Sequence, residues 1–123
     1  MTMAKKRILL IDDEPSLTRM LRLNLEKTRA YKVREENQGA RGLAAAREFK
    51  PDLILLDVIM PDADGGEVAA QIRQDPNLKD TPVVFLTAAV TKKEEGVIGG
   101  RPFLAKPVNV KEVIDCIEKH LAR

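Results

Sequence analysis

Cysteine occurs once in this sequence, at Cys116, which excludes a disulfide within the chain; its place in a helical pattern makes it a core residue. Tryptophan is absent and aromatic residues amount to 3%, so there is no platform for stacking nucleic-acid bases. Charge of one sign is not in excess either: a formal net charge of +2 is too small to mark a nucleic-acid surface. Long apolar runs are also missing. The basic start, Met1 to Arg7, is followed only by Ile8 to Ile11 before Asp12 intervenes, too short for a signal peptide or a membrane span. The cytosol is the expected compartment, with no direct contact to nucleic acid or membrane.

What is present describes an ordinary globular chain. Its 123 residues, 44% hydrophobic and 33% charged, suit one domain, 1–123, with enough apolar surface for a core. The most informative stretch is Leu53-Ile54-Leu55-Leu56-Asp57, an apolar run that ends in a carboxylate. A run without alternation fits a strand buried on both faces of a parallel sheet. The strand must stop near Asp57, because a carboxylate stays ionised only near solvent, a cation or donors.

The other segments follow the same plan. Ile8 to Ile11 is a first buried strand ending in Asp12-Asp13-Glu14, and Pro15-Ser16 starts a helix with Leu17, Met20, Leu21 and Leu25 in register. Tyr31 to Arg34 is a more polar strand suited to a sheet edge. A second helix is expected after Gly39, with Ala40, Leu43, Ala44 and Phe49 inward, and a third with Val68, Ala69 and Ile72 inward, ended by Asp75-Pro76-Asn77. Pro82 to Thr87 is a fourth strand. Thr91 to Val97 allows only a brief helix before Gly99-Gly100, and Phe103 to Lys106 is a short last strand. Val110, Val113, Ile114, Ile117 and Leu121 mark the closing helix, where His120, the only histidine, suits the negative end of the helix dipole. Alternating strands and helices predict an α/β domain with a parallel sheet.

Four of these strands end in polar groups: Asp12-Asp13, Asp57, Thr87 and Lys106. In a parallel sheet such ends share one edge, where ligand crevices form. Carboxylates packed there repel one another unless a cation sits among them, and oxygen ligands alone suit Mg²⁺. Lys106 adds a movable positive charge and Thr87 a hydroxyl. A carboxylate nucleophile, Asp57, with a divalent ion, an ammonium and a hydroxyl are parts for phosphoryl transfer. Taken singly, Asp13 is equally a turn or helix-cap residue, Thr87 an ordinary strand residue and Lys106 a surface lysine. Gly65 and Pro61 are turn formers, and Asp62, Asp64 and Glu14 suit solvated rim positions.

The motifs "ILLIDDE", "DLILLDVIMPDADG", "VVFLTA" and "FLAKP" resemble, in order and spacing, the receiver domains of two-component response regulators, over essentially the whole chain. The resemblance implies a flavodoxin-like, doubly wound, five-stranded sheet of order 2-1-3-4-5 with five helices, the fourth shortened. It implies that Asp57 is the phospho-acceptor, fed by a sensor histidine kinase, a phosphotransfer protein or a small phospho-donor. Asp13, Asp57 and the Ile59 carbonyl would ligate Mg²⁺, with Asp12 acting through a metal-bound water. Lys106 would pair with Asp57 and then with the phosphoryl group, Thr87 would hydrogen-bond that group, and Phe103 would be the aromatic switch residue. The Lys106–Pro107 bond is often cis in such domains. Ile59 and Ala89 occupy the positions that tune access of hydrolytic water, and neither can orient one, which implies a long-lived phosphoryl group. The face made by the fourth helix, last strand and fifth helix would meet partners or, on phosphorylation, a second copy. The chain would be either a free-standing receiver or the front of a longer regulator.

Three other readings compete. A haloacid-dehalogenase-type phosphohydrolase needs a second Asp two residues after its nucleophile, where Ile59 stands. A flavodoxin-type flavin binder needs a phosphate loop, which Asp12-Asp13-Glu14 would repel. A degenerate receiver acting as a scaffold would lack part of the acid, Thr and Lys set, which is complete here.

Overall fold

Leu53–Asp57 forms strand β3, all five residues buried, and the rest of the sheet is laid down on either side of it. The structure, a computed structural model, describes residues 4–88, 96–98 and 101–121. In chain order the elements are β1 (Lys6–Ile11), α1 (Pro15–Lys27), β2 (Tyr31–Glu36), a 3₁₀ turn (Gly39–Arg41), α2 (Gly42–Phe49) and β3. After β3 come a two-residue ribbon, β4 (Ile59–Met60) and β5 (Ala63–Asp64), then α3 (Gly65–Gln74), β6 (Val83–Thr87), β7 (Gly96–Ile98), β8 (Arg101–Ala105) and α4 (Val110–Leu121). The main sheet has the order β2-β1-β3-β6-β8-β7. Its first five strands are parallel, which is the expected 2-1-3-4-5 order, and β7 joins β8 antiparallel.

The apolar runs have no alternation because each successive side chain enters a different core. Leu9, Ile11, Ile54, Leu56, Val83 and Phe85 face α2 and α3, against Ala45, Ala46, Phe49, Val68, Ala69 and Ile72. Ile8, Leu10, Leu53, Leu55, Val84 and Leu86 face α1 and α4, against Leu21, Leu25, Val113, Cys116 and Ile117. Both faces are therefore dry, and β2, with half its residues only partly buried, lies at the edge as its polar sequence predicts. No helix among the described residues is long and apolar enough to cross a membrane.

Two expectations are corrected. In α2 the buried stripe is Gly42, Ala45, Ala46 and Phe49, while Ala40 and Ala44 are exposed and Leu43 is only partly covered. Gly42 belongs to the packed face: a Cβ there would lie 2.9 Å from Val68 Cγ1 and 3.2 Å from Ile11 Cδ1. The shortened fourth helix falls on Thr91 to Val97, of which residues 91–95 lie outside the described residues. Its end, Gly96-Val97, is strand, so the described residues hold four α-helices and a 3₁₀ turn rather than five helices. Gly99-Gly100, the expected stop of that helix, lies outside the described residues.

The loop after β3 is pressed onto that strand. Gly65 N donates to Val58 O at 2.8 Å, and a Cβ on Gly65 would stand 2.2 Å from Asp57 O and 2.7 Å from Val58 Cα. The obstacles are backbone atoms, which cannot rotate away. Gly65→Ala should therefore lower the urea midpoint by the equivalent of about 1–3 kcal/mol, the scale of overpacking, and disturb the residues around Asp57 in an NMR amide spectrum.

Candidate functional site

The strand register delivers the polar ends to one rim. Asp57 closes β3 opposite Leu86 of β6, so Thr87 stands one residue further along the neighbouring strand. Thr87 in turn pairs with Ala105, and Lys106 N donates to Thr87 O at 2.9 Å, which carries the lysine to the same edge. Asp12 and Asp13 follow β1 directly. Carboxylate oxygens of Asp12, Asp13 and Asp57 lie within 4.8 Å of one another, and Asp12, Asp57 and Thr87 are buried.

Among the described residues one ammonium serves this group. Lys106 Nζ lies 2.7 Å from Glu14 Oε1, 2.9 Å from Asp12 Oδ2 and 3.6 Å from Asp57 Oδ2. The Lys106–Pro107 bond is cis. Ile59 N–H points to Asp57 Oδ1 at 3.4 Å, a long contact, and the Ile59 side chain is 68% exposed at the rim. Phe103 is not at the rim. It is buried, packed with Phe85 in the core beneath α2 and α3.

The turn that presents the first two acids has supports that sequence reasoning missed. Asp12 Oδ1 accepts from Glu14 N at 3.0 Å, and Asn37 Nδ2 donates to Asp12 O at 2.7 Å and to Thr18 Oγ1 at 3.0 Å. Thr18 Oγ1 donates to Glu35 Oε1 at 2.6 Å, whose other oxygen meets Arg22 Nε at 2.8 Å. Glu14 is half-exposed but not a free rim charge, since it is the nearest partner of Lys106. The available signal was its place in the acidic run just ahead of Pro15. Asp62 and Asp64 are also employed: Asp62 accepts from Gly39 N at 3.1 Å and Ala40 N at 3.0 Å, and Asp64 caps α3 by accepting from Gly66 N at 2.8 Å. His120 Nδ1 lies 2.9 Å from Cys116 O, at the C-terminal end of α4 where the dipole argument put it.

Electrostatics follow from this crowding. Burial, and then the neighbouring Asp12 carboxylate, push Asp57 up from 3.8 to about 7; Lys106 opposes them without prevailing. Burial likewise raises Asp12 against the pull of Lys106. Burial alone would lower the Lys106 ammonium, but hydrogen bonds to Glu14 and Asp12 and the charges of Asp12 and Asp57 outweigh it and raise it. The cluster thus has too little positive charge. Asp12 Oδ2 is fully buried and meets the Lys106 ammonium at 2.9 Å, the same ammonium that Glu14 and Asp57 share. Three convergent carboxylates, two of them buried, whose oxygens lie within 4.8 Å of one another fit a hard divalent cation with oxygen ligands.

Such an arrangement, a doubly wound α/β sheet with acids, a hydroxyl and an ammonium at the carboxyl ends of its strands, defines a receiver-type domain with an acidic pocket that could hold a metal ion. The model of the response regulator receiver domain matches residues 8–118, and the chain belongs to that family. It is 37% identical over 120 residues, 95% of its length, to the DNA-binding dual master transcriptional regulator RpaA of Synechocystis sp.. It is 34% identical over 119 residues, 94% of its length, to PilH of Pseudomonas aeruginosa. The chain spans about half of RpaA, 49%, but 98% of PilH. The chemotaxis protein CheY4 of Vibrio cholerae superposes with a TM-score of 0.83 at 29% identity, over 96% of this chain and all of that one. Receiver domains are phosphorylation-dependent signalling modules of two-component systems, and meet histidine kinases or phosphotransfer proteins and downstream effectors.

A pH dependence follows from the raised Asp57. Its folded value of about 7 exceeds the unfolded 3.8, so the folded chain holds more protons between those values and stability declines as pH rises through that window. Without divalent metal, the urea midpoint should fall between about pH 5 and about pH 8. Asp57→Asn should be more stable than wild type at the higher pH and flatten most of the dependence; Mg²⁺ should stabilise wild type more at the higher pH. Denaturation curves at each pH check all three.

Proposed function

We propose that this chain is a phosphorylation switch in which Asp57 takes a phosphoryl group from a histidine kinase, a phosphotransfer protein or a small phospho-donor. One observation carries the proposal: a buried Asp57 shares its rim with Asp12 and Asp13 within 4.8 Å and with Lys106 Nζ at 3.6 Å. Asp12, Asp13 and Asp57, with the Ile59 carbonyl, are the residues that would hold Mg²⁺, Asp12 mainly through a water. When bound, the ion keeps adjacent carboxylates ionised and neutralises phosphoryl oxygens. An Asp57 carboxylate oxygen forms its bond to phosphorus as the donor's bond to phosphorus breaks, and that electron pair leaves with the donor group. The domain thus catalyses its own phosphorylation, and water later attacks the aspartyl phosphate slowly.

The phosphoryl group adds negative charge and strong acceptor oxygens where Thr87 and Lys106 can reach. Lys106 moves its ammonium onto them and Thr87 donates its hydroxyl. Thr87 ends β6 and Phe103 lies on β8, the strand paired to it, so both belong to one two-state element that alters the distal face for an effector or a second copy. Ile59, exposed at the rim, offers water no polar partner, which supports slow hydrolysis. Ala89, the other residue expected to matter here, lies outside the described residues.

Acetyl phosphate should label the wild-type chain only with Mg²⁺ present, and Asp57→Asn should abolish the label. Lys106→Met should slow labelling by about 10²-fold, the scale of losing one preorganised charge-stabilising donor. Labelling that survives in Asp57→Asn removes Asp57 as the acceptor. Ile59→Asn should shorten the lifetime of the label, measured by its decay after the donor is removed.

A further inference from the structure

We infer that Glu14 is a positioning residue that holds Lys106 away from the phosphoryl site in the unphosphorylated state, and so limits how readily the chain takes phosphate. This rests on the phospho-acceptor reading of Asp57. Among the three carboxylates around Lys106 Nζ, Glu14 is the nearest at 2.7 Å and Asp57 the farthest at 3.6 Å. The pair joins residues 92 positions apart in sequence, so it is made by the fold and not by local chain geometry.

Both ends are anchored. Glu14 N donates to Asp12 Oδ1 at 3.0 Å, and Glu14 occupies the N-cap position of α1 in extended conformation, yet its carboxylate makes no cap hydrogen bond and is spent on Lys106 instead. Lys106 is tied through its backbone N to Thr87 O and is mostly buried, so neither partner sacrifices much freedom to meet the other. The side chains border a cleft floored by Leu17, Ala88, Pro107 and Val108, which gives the lysine stem apolar cover and leaves its tip to choose among oxygens.

A phosphoryl group on Asp57 must win the ammonium from Glu14. The Glu14 carboxylate also stands near the incoming anion and repels it. Both effects oppose phosphorylation, so neutralising Glu14 favours it, provided the cation site is kept saturated. Glu14 is half-exposed, so the effect has the modest size of a solvated ion pair.

The test is the affinity of the full chain for beryllofluoride at saturating Mg²⁺, followed by NMR, for wild type and Glu14→Gln. Glu14→Gln should bind about two- to fivefold more tightly, the equivalent of an exposed ion pair. Raising the salt from about 0.05 M to about 0.5 M should narrow the gap, since screening loosens the wild-type contact but has nothing to loosen in the variant. A merely structural role for Glu14 would move the melting curve and not this salt-dependent ratio. Equal or weaker binding by Glu14→Gln, or a gap indifferent to salt, overturns the proposal while leaving Asp57 as acceptor. A wild-type chain that binds no beryllofluoride overturns the phospho-acceptor reading and the proposal together.

Discussion

The rim of this domain is governed by a shortage of positive charge. Asp12, Asp57 and Glu14 surround the Lys106 ammonium with the Asp13 carboxylate close by, and the two buried acids among its partners are driven upward by desolvation despite it. Coulomb repulsion among acids would scatter them in a flexible chain. Here it cannot, because each acid terminates or follows a strand clamped between two dry helix layers. The core holds the acids together against that repulsion, which suits the rim to a divalent cation.

The backbone around Asp57 shows how completely that position is over-determined. Val58 N donates to Leu86 O on the neighbouring strand, Gly65 N donates to Val58 O, and the space a side chain would need at Gly65 is filled by the Asp57 carbonyl. Asp64 caps α3 immediately beside this contact, and Asp62 clasps the 3₁₀ turn leading to α2. Acids that a composition count would assign to the solvated rim are thus fixing the loop that frames the site.

Much of this was legible in the amino-acid order, for a definable reason. Strands buried on both faces have unbroken apolar runs, and a polar residue at the end of such a run marks the edge of the sheet; Asp12, Asp57, Thr87 and Lys106 are found on that basis alone. What escaped are features whose meaning depends on contact. The phase of α2 is not fixed by its sequence because Ala40, Ala44, Ala45 and Ala46 are alike in size and polarity, and only the contacts of Gly42 with Val68 and Ile11 show which face packs. Glu14 looked idle because its partner lies at Lys106, far along the chain. The strand Gly96–Ile98 was taken for the end of a helix because three residues carry too little periodicity to decide. Asn37 and Thr18 gave no signal, since a polar side chain that braces a turn from another element has no sequence pattern of its own.

Strand β7 has a mechanical implication. Because it runs antiparallel along the outer side of β8, the strand bearing Phe103 has hydrogen-bonded neighbours at both margins, with Phe103 facing Phe85 on one side and Gly96 on the other. A displacement of that ring cannot be absorbed by a loose selvedge. Any shift of it would carry the outer hem of the sheet, β7 paired with β8, along with it.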